Sequence, residues 1–213
     1  MRKYHYTVGN YIPQIIKSGE VQLATAFTFK KREYAVWTST NPVWENTCNK
    51  QLAVSRLQNG GISYKDYFRM RDSRQIISLD MEWTHKLCGG LCRIEVEPKA
   101  TPFTIGNYCR LAKINKTFSK KFIRAGIDMG ANPKEWFAGF KPIPSEKWIA
   151  IEMFDWDTQT WIPYAEGVIP SGVDIEMRCT RGKIQNDETT ESLLQGMIDG
   201  LYDPDEVFDK IMS

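Results

Sequence analysis

Residues 91–97, LCRIEVE, alternate without a break: Leu91, Arg93, Glu95 and Glu97 on one side, Cys92, Ile94 and Val96 on the other. A period of two is incompatible with a helix and predicts a strand with one buried and one wet face, ended by Pro98. Shorter runs of strand formers recur at 2–8 (RKYHYTV), 34–38 (YAVWT), 148–153 (WIAIEM) and 173–179 (VDIEMRC). The turn-like stretch Asp155–Thr160 lets Trp161–Tyr164 fold back on 148–153 as a hairpin. Helical spacing is confined to short pieces. Tyr11, Ile12, Ile15 and Ile16 share one helical face, with Pro13 in the first turn and Gly19 as the stop. Further helix is expected across Glu45–Leu57 and in two pieces over 105–125, broken by GANP at 130–133. No regular long helix separates the strands, so a doubly wound parallel sheet is not expected. The pattern predicts an α+β domain with an antiparallel or mixed sheet.

Charge divides the 213 residues in two. Residues 183–213 carry Lys183 and Lys210 against eight acids, a charge of −6, and residues 1–182 carry +8. The reading is one domain over 1–182 and an acidic helical appendage over 183–213. In the appendage, Leu193, Leu194, Met197, Ile198 and Leu201, then Val207, Phe208 and Ile211, form apolar stripes. That appendage either packs on the body, docks a partner protein or shields the basic face. The densest cations lie in RLAKINKTFSKKFIR at 110–124: Arg110, Lys113, Lys116, Lys120, Lys121 and Arg124, with no acid among them. Such a helix is a candidate phosphate-backbone contact, or else a solvated face. No run approaches 18 apolar residues, so no membrane partner is expected. The N-terminus lacks an apolar leader core, and five scattered cysteines read as reduced thiols in a cytoplasmic protein.

The chemistry-bearing residues are few. Of the two histidines, His5 sits within a strand beside Thr7, with Tyr4 and Tyr6 on the other face. An imidazole there can orient a ribose or diphosphate, or act as a base. His85, Cys88 and Cys92 begin a zinc-like set, but no second close pair completes it and no metal is expected. A Cys48–His nucleophilic pair has nothing to fix its geometry. No Walker-type loop or dinucleotide fingerprint is present. Two strand carboxylates, Glu95 and Glu152, can each stabilise an oxocarbenium-like ribose. Glu95 alternates with Arg93 on a polar face, whereas Glu152 closes an apolar run, so Glu152 is the expected catalytic group.

The opening YHYTVGNYIPQIIKSGEV resembles the start of an ADP-ribosyltransferase superfamily domain, in which a strand carries His–aromatic–Thr and a short helix follows. AVWTSTNPVW resembles the family's second block, an aromatic strand ending in Ser/Thr. WIAIE resembles the third, a strand glutamate. The likeness covers residues 3–50 and, loosely, 136–153. It implies a split, twisted pair of sheets around an NAD-binding cleft. His5, Tyr6, Thr7, Tyr11, Trp37 and Ser39 would contact NAD, and Glu152, with His5, would serve catalysis. The implied reaction transfers ADP-ribose from NAD to a protein or nucleic-acid acceptor and releases nicotinamide. The alternative is a non-catalytic nucleic-acid- or protein-binding module on the same fold.

Overall fold

The computed structural model describes residues 1–25, 30–53 and 76–173. The strand expected at 173–179, the two tail helices and the boundary at 182 lie outside the described residues. The strands are β1 (Lys3–Val8), β2 (Glu20–Val21), β3 (Val36–Ser39), β4 (Gln51–Ala53), β5 (Ile76–Ser78), β6 (Leu91–Val96), β7 (Phe103–Thr104), β8 (Trp136–Gly139), β9 (Ile143–Pro144), β10 (Trp148–Asp155) and β11 (Thr160–Pro163). The α-helices are α1 (Ile12–Ser18), α2 (Met81–Leu87), α3 (Ile105–Leu111) and α4 (Lys116–Asp128).

Seven strands form one sheet in the order β11-β10-β6-β1-β3-β8-β7, and β2–β9 and β4–β5 form two small ribbons. Every pairing described is antiparallel. The chain is therefore α+β with a mostly antiparallel sheet. β1 is central and pairs with β6 along its whole length, Lys3↔Val96 to Val8↔Leu91. Its other neighbour behaves differently. β1 and β3 are in register at one position, Tyr4 opposite Ser39, and separate beyond it.

The register sorts the two sheet faces. Thr7, Cys92 and Met153 lie in one row, and His5, Ile94 and Ile151 in the next. This face packs on Ile12 from α1, Val21 and Ile143. The opposite face carries Tyr4, Tyr6, Leu91 and Phe154, closed over by Trp44, Met81, Trp156 and Trp161. Because both faces are covered, all six residues of β6 are buried. The wet face expected for Arg93 and Glu95 does not exist: they are 6% and 8% exposed.

Local chemistry explains the other agreements and departures. α1 starts with Pro in its first turn and ends on Gly19 at φ +69°, as its sequence requires. Its expected apolar face is divided, however: Ile12 is buried and Ile15 packs on the core, while Tyr11 and Ile16 are 37% and 41% exposed. The helix expected across Glu45–Leu57 is absent over its described part. Glu45 instead caps a single 3-10 turn, Asn46–Cys48, by accepting from Thr47 N, and the chain then extends into β4. Asn, Thr, Cys and Asn in succession are weak helix formers, and a capped turn competes successfully. The β10–β11 hairpin forms as expected, its turn held by the Asp155 carboxylate accepting from Asp157 N at 3.0 Å and Ser171 Oγ at 2.6 Å.

Candidate functional site

His5 stands where β3 leaves β1. Its Nδ1 lies 3.0 Å from the Trp37 carbonyl oxygen. A carbonyl only accepts, so Nδ1 carries the hydrogen and Nε2 presents a lone pair. Burial, with a smaller contribution from the Lys50 charge, holds the imidazole below its ordinary pKa of 6.5. The ring is thus neutral near pH 7 and fixed in one tautomer. Lys50 also lies over the Tyr11 ring, 5.4 Å from its centroid. Thr7 is buried on the same sheet face as His5.

The remaining expected contacts scatter. Ser39 is buried at the end of β3, its Oγ accepting from Asn41 N at 3.2 Å. Trp37 is half-buried, edge-on to Tyr108 at 4.6 Å and tilted against Phe122 at 5.9 Å, so its ring already has partners. Tyr6 lies on the opposite face from His5. Its ring meets Trp44 edge-on at 5.2 Å, its hydroxyl donates to the Asn41 carbonyl, and burial raises its pKa. It is part of the core rather than a wall of an open pocket.

Glu152 shares Tyr6's face, not His5's, because its row contains Arg93 and Arg93's row contains Tyr6. One Glu152 oxygen accepts from Arg93 Nε at 2.6 Å. The apolar setting read around Glu152 is therefore occupied by a guanidinium. Glu95 is the more buried of the two carboxylates and pairs with Arg2 at 3.4 Å. Neither is grouped with His5.

A third carboxylate escaped the sequence reading. Asn132 caps the 3-10 turn Pro133–Glu135 by accepting from Lys134 N, and the turn delivers Glu135 to the start of β8. Glu135 Oε1 accepts from Asn132 Nδ2 at 3.1 Å. Glu135 Oε2 is buried without a partner, the sole such side-chain atom among the described residues. A carboxylate oxygen held this way is destabilising unless something else uses it. The Glu135 carbonyl accepts from Thr40 N at 3.0 Å, next to Ser39, which stands opposite both Tyr4 and Trp136. The carboxylate therefore starts at the end of β3, two strands from β1. The readable signal was an acid placed directly before the aromatic strand Trp136–Gly139 by a proline-led turn.

The zinc-like set does not form. His85 is buried, with Nε2 2.6 Å from the Ser171 carbonyl oxygen and Nδ1 accepting from Leu91 N at 3.2 Å, so both nitrogens are engaged. Cys92 lies in the apolar core, its thiol pushed up to about 12 by burial. No metal-ligating cluster occurs among the described residues. Cys48 is likewise raised to about 12, chiefly by burial, which disfavours the thiolate a nucleophile needs.

The basic segment is intact as expected. Arg110 lies in α3, Lys113 in the turn after it, and Lys116, Lys120, Lys121 and Arg124 in α4, all exposed. Arg124 pairs with Asp128 at 2.8 Å. No helix among the described residues is long and apolar enough to cross a membrane. Comparison of the chain with family models, with curated proteins and with solved structures gives no match.

Proposed function

We propose that the chain is an ADP-ribosyltransferase-like domain that takes NAD as substrate and transfers ADP-ribose to a macromolecular acceptor. The reading rests on one observation above the others: the buried, unpartnered Glu135 oxygen, whose residue is bonded through its carbonyl to the end of β3, the strand whose Trp37 carbonyl fixes the His5 imidazole. In the reaction the C1′–N bond breaks and its electron pair leaves with nicotinamide. The acceptor's lone pair forms the new bond to C1′ and its proton passes to base or solvent. Glu135 supplies the negative charge that favours the cationic C1′, and accepts from a ribose hydroxyl. His5, through Nε2, accepts from a second hydroxyl. Glu152, tied to Arg93, holds the sheet instead.

Nicotinamide release tests these roles. Glu135→Gln keeps the shape and removes the charge, and should slow release by roughly 10²-fold with NAD affinity nearly unchanged. His5→Ala should abolish the heat of NAD binding in calorimetry. Glu152→Gln should change turnover of folded protein by only a few-fold. Equal turnover in wild type and Glu135→Gln would overturn the assignment. A wild type that shows no NAD heat would favour the non-catalytic binding module, to which the exposed cations of α3 and α4 also point.

A further inference from the structure

Beside α3 lies a groove of about 480 Å³. Its aromatic wall is Tyr34, Phe103 and Phe140, its cations are Lys31 and Arg32, and Leu111 forms one lip. Phe140 is stacked on Tyr108 at 5.6 Å and tilted against Phe103 at 5.5 Å, which fixes the ring surface. Arg32 Nε donates to the Ala112 carbonyl at 2.9 Å, which anchors the guanidinium at the groove. Among the described residues no carboxylate lines it, and Glu33, which follows Arg32 in sequence, is buried.

The groove does not end in neutral surface. Leu111 is flanked by Arg110 and Lys113, and α4 continues with Lys116, Lys120 and Lys121. None of these five has an acidic partner among the described residues. On a helical projection, Lys116, Lys120 and Arg124 follow one another at four-residue steps, away from Gly126, the one buried residue of α4. The cations therefore form the outer face of the helix, continued beyond an aromatic groove.

We propose that this surface binds single-stranded nucleic acid, with a base against the Tyr34–Phe140 wall and the backbone phosphates along Lys31, Arg32, Arg110, Lys113 and α4. Aromatic faces combined with a cationic track suit unpaired bases, whose rings are free to stack. The track is too long for a mononucleotide: α4 alone extends about 20 Å. The surface is independent of the NAD reaction, and its test needs no NAD, so either proposal can fail alone.

Fluorescence anisotropy of the full chain with labelled 15-mers of dT and U, and with a duplex of equal length, provides the test across a salt series. Single strands should bind more tightly than the duplex, and the dT and U arms separate DNA from RNA preference. Lys31→Gln with Arg110→Gln, both on exposed side chains, should weaken single-strand binding about tenfold and lower the salt slope by 1 to 2. Tyr34→Leu should weaken single-strand binding about tenfold and leave duplex binding unchanged. Tyr34→Phe should restore it, which separates stacking from folding. Equal binding of duplex and single strand, equal competition by UMP, or Tyr34→Leu behaving as wild type would each overturn the proposal, as would absence of binding at 50 mM salt.

Discussion

Gly126 lies in the middle of α4 with the Trp136 indole against it; a Cβ built there would stand 2.1 Å from the ring. On an exposed helix Gly→Ala stabilises by about 1 kcal/mol. Here the contact is a buried ring rather than a flexible chain end, and overpacking should dominate. Gly126→Ala is expected to destabilise by roughly 1–3 kcal/mol in chemical denaturation; a more stable variant would mean that α4 does not dock on Trp136. The histidines add a pH dependence. His85 is neutral in the fold, donating through Nε2 and accepting through Nδ1, and burial lowers its pKa from 6.5. His5 is lowered in the same direction. A protonated imidazole is thus favoured in the unfolded chain, which binds more protons as pH falls below about 6.5. Stability should decline as pH falls through that value toward 5.5, and the decline should shrink in His85→Gln; a flat wild-type Tm over that range would contradict it. These residues also mark what could be read beforehand. His5 was legible because its strand pattern is strong and histidine is scarce. Glu135 was not, since a proline-led turn before an aromatic strand marks its place but not the burial of one oxygen without a partner, which only folding produces.

At the scale of elements, β1, β6, β10 and β11 are bound by one side chain. The Arg93 guanidinium lies 4.1 Å from the Tyr4 ring centroid and 4.3 Å from that of Trp161, on β1 and β11. It donates to Glu152 on β10 and to the carbonyl of Pro42. Arg93→Met would leave a partly buried carboxylate and a carbonyl without their donor, at a cost of about 3 kcal/mol. Removing the charge on both sides, as Arg93→Met with Glu152→Met, should recover much of that loss in a double-mutant cycle. Equal losses in the single and double variants would show that ring stacking, not the ion pair, holds the strands. This clamp explains why the apolar setting expected around Glu152 is not the one the fold provides. Alternation locates the strand and its sides, but it does not show which strand becomes its neighbour, and the β10–β6 register alone brings the guanidinium across. The hairpin was legible for the opposite reason: both of its strands and their turn are contiguous. Likewise the two helices at 105–128 follow from local spacing, whereas the burial of both β6 faces depends on segments distant in sequence.

For the whole molecule, charge sets the last question. The described chain closes on itself near its end: Ser171 accepts from His85, and Pro170 lies against Gly90 at the start of β6. Residues 183–213 lie beyond these contacts in sequence and carry −6, against +8 on the remainder. The exposed cations of α3 and α4 provide the densest target for such a segment, and at 0.15 M salt their mutual attraction acts only within about 8 Å. If the tail competes for that face, deleting residues 183–213 should tighten single-strand binding several-fold at low salt and steepen its salt slope, because more phosphate contacts become available. The Tm should stay close to that of the full chain, since the contacts of Pro170 and Ser171 remain. Lys120→Glu with Lys121→Glu in the shortened chain should remove the gain. Unchanged affinity after deletion would show that the acidic segment does not cover the cationic face. A shortened chain that precipitates would show instead that the apolar stripes at 193–201 and 207–211 pack into the body.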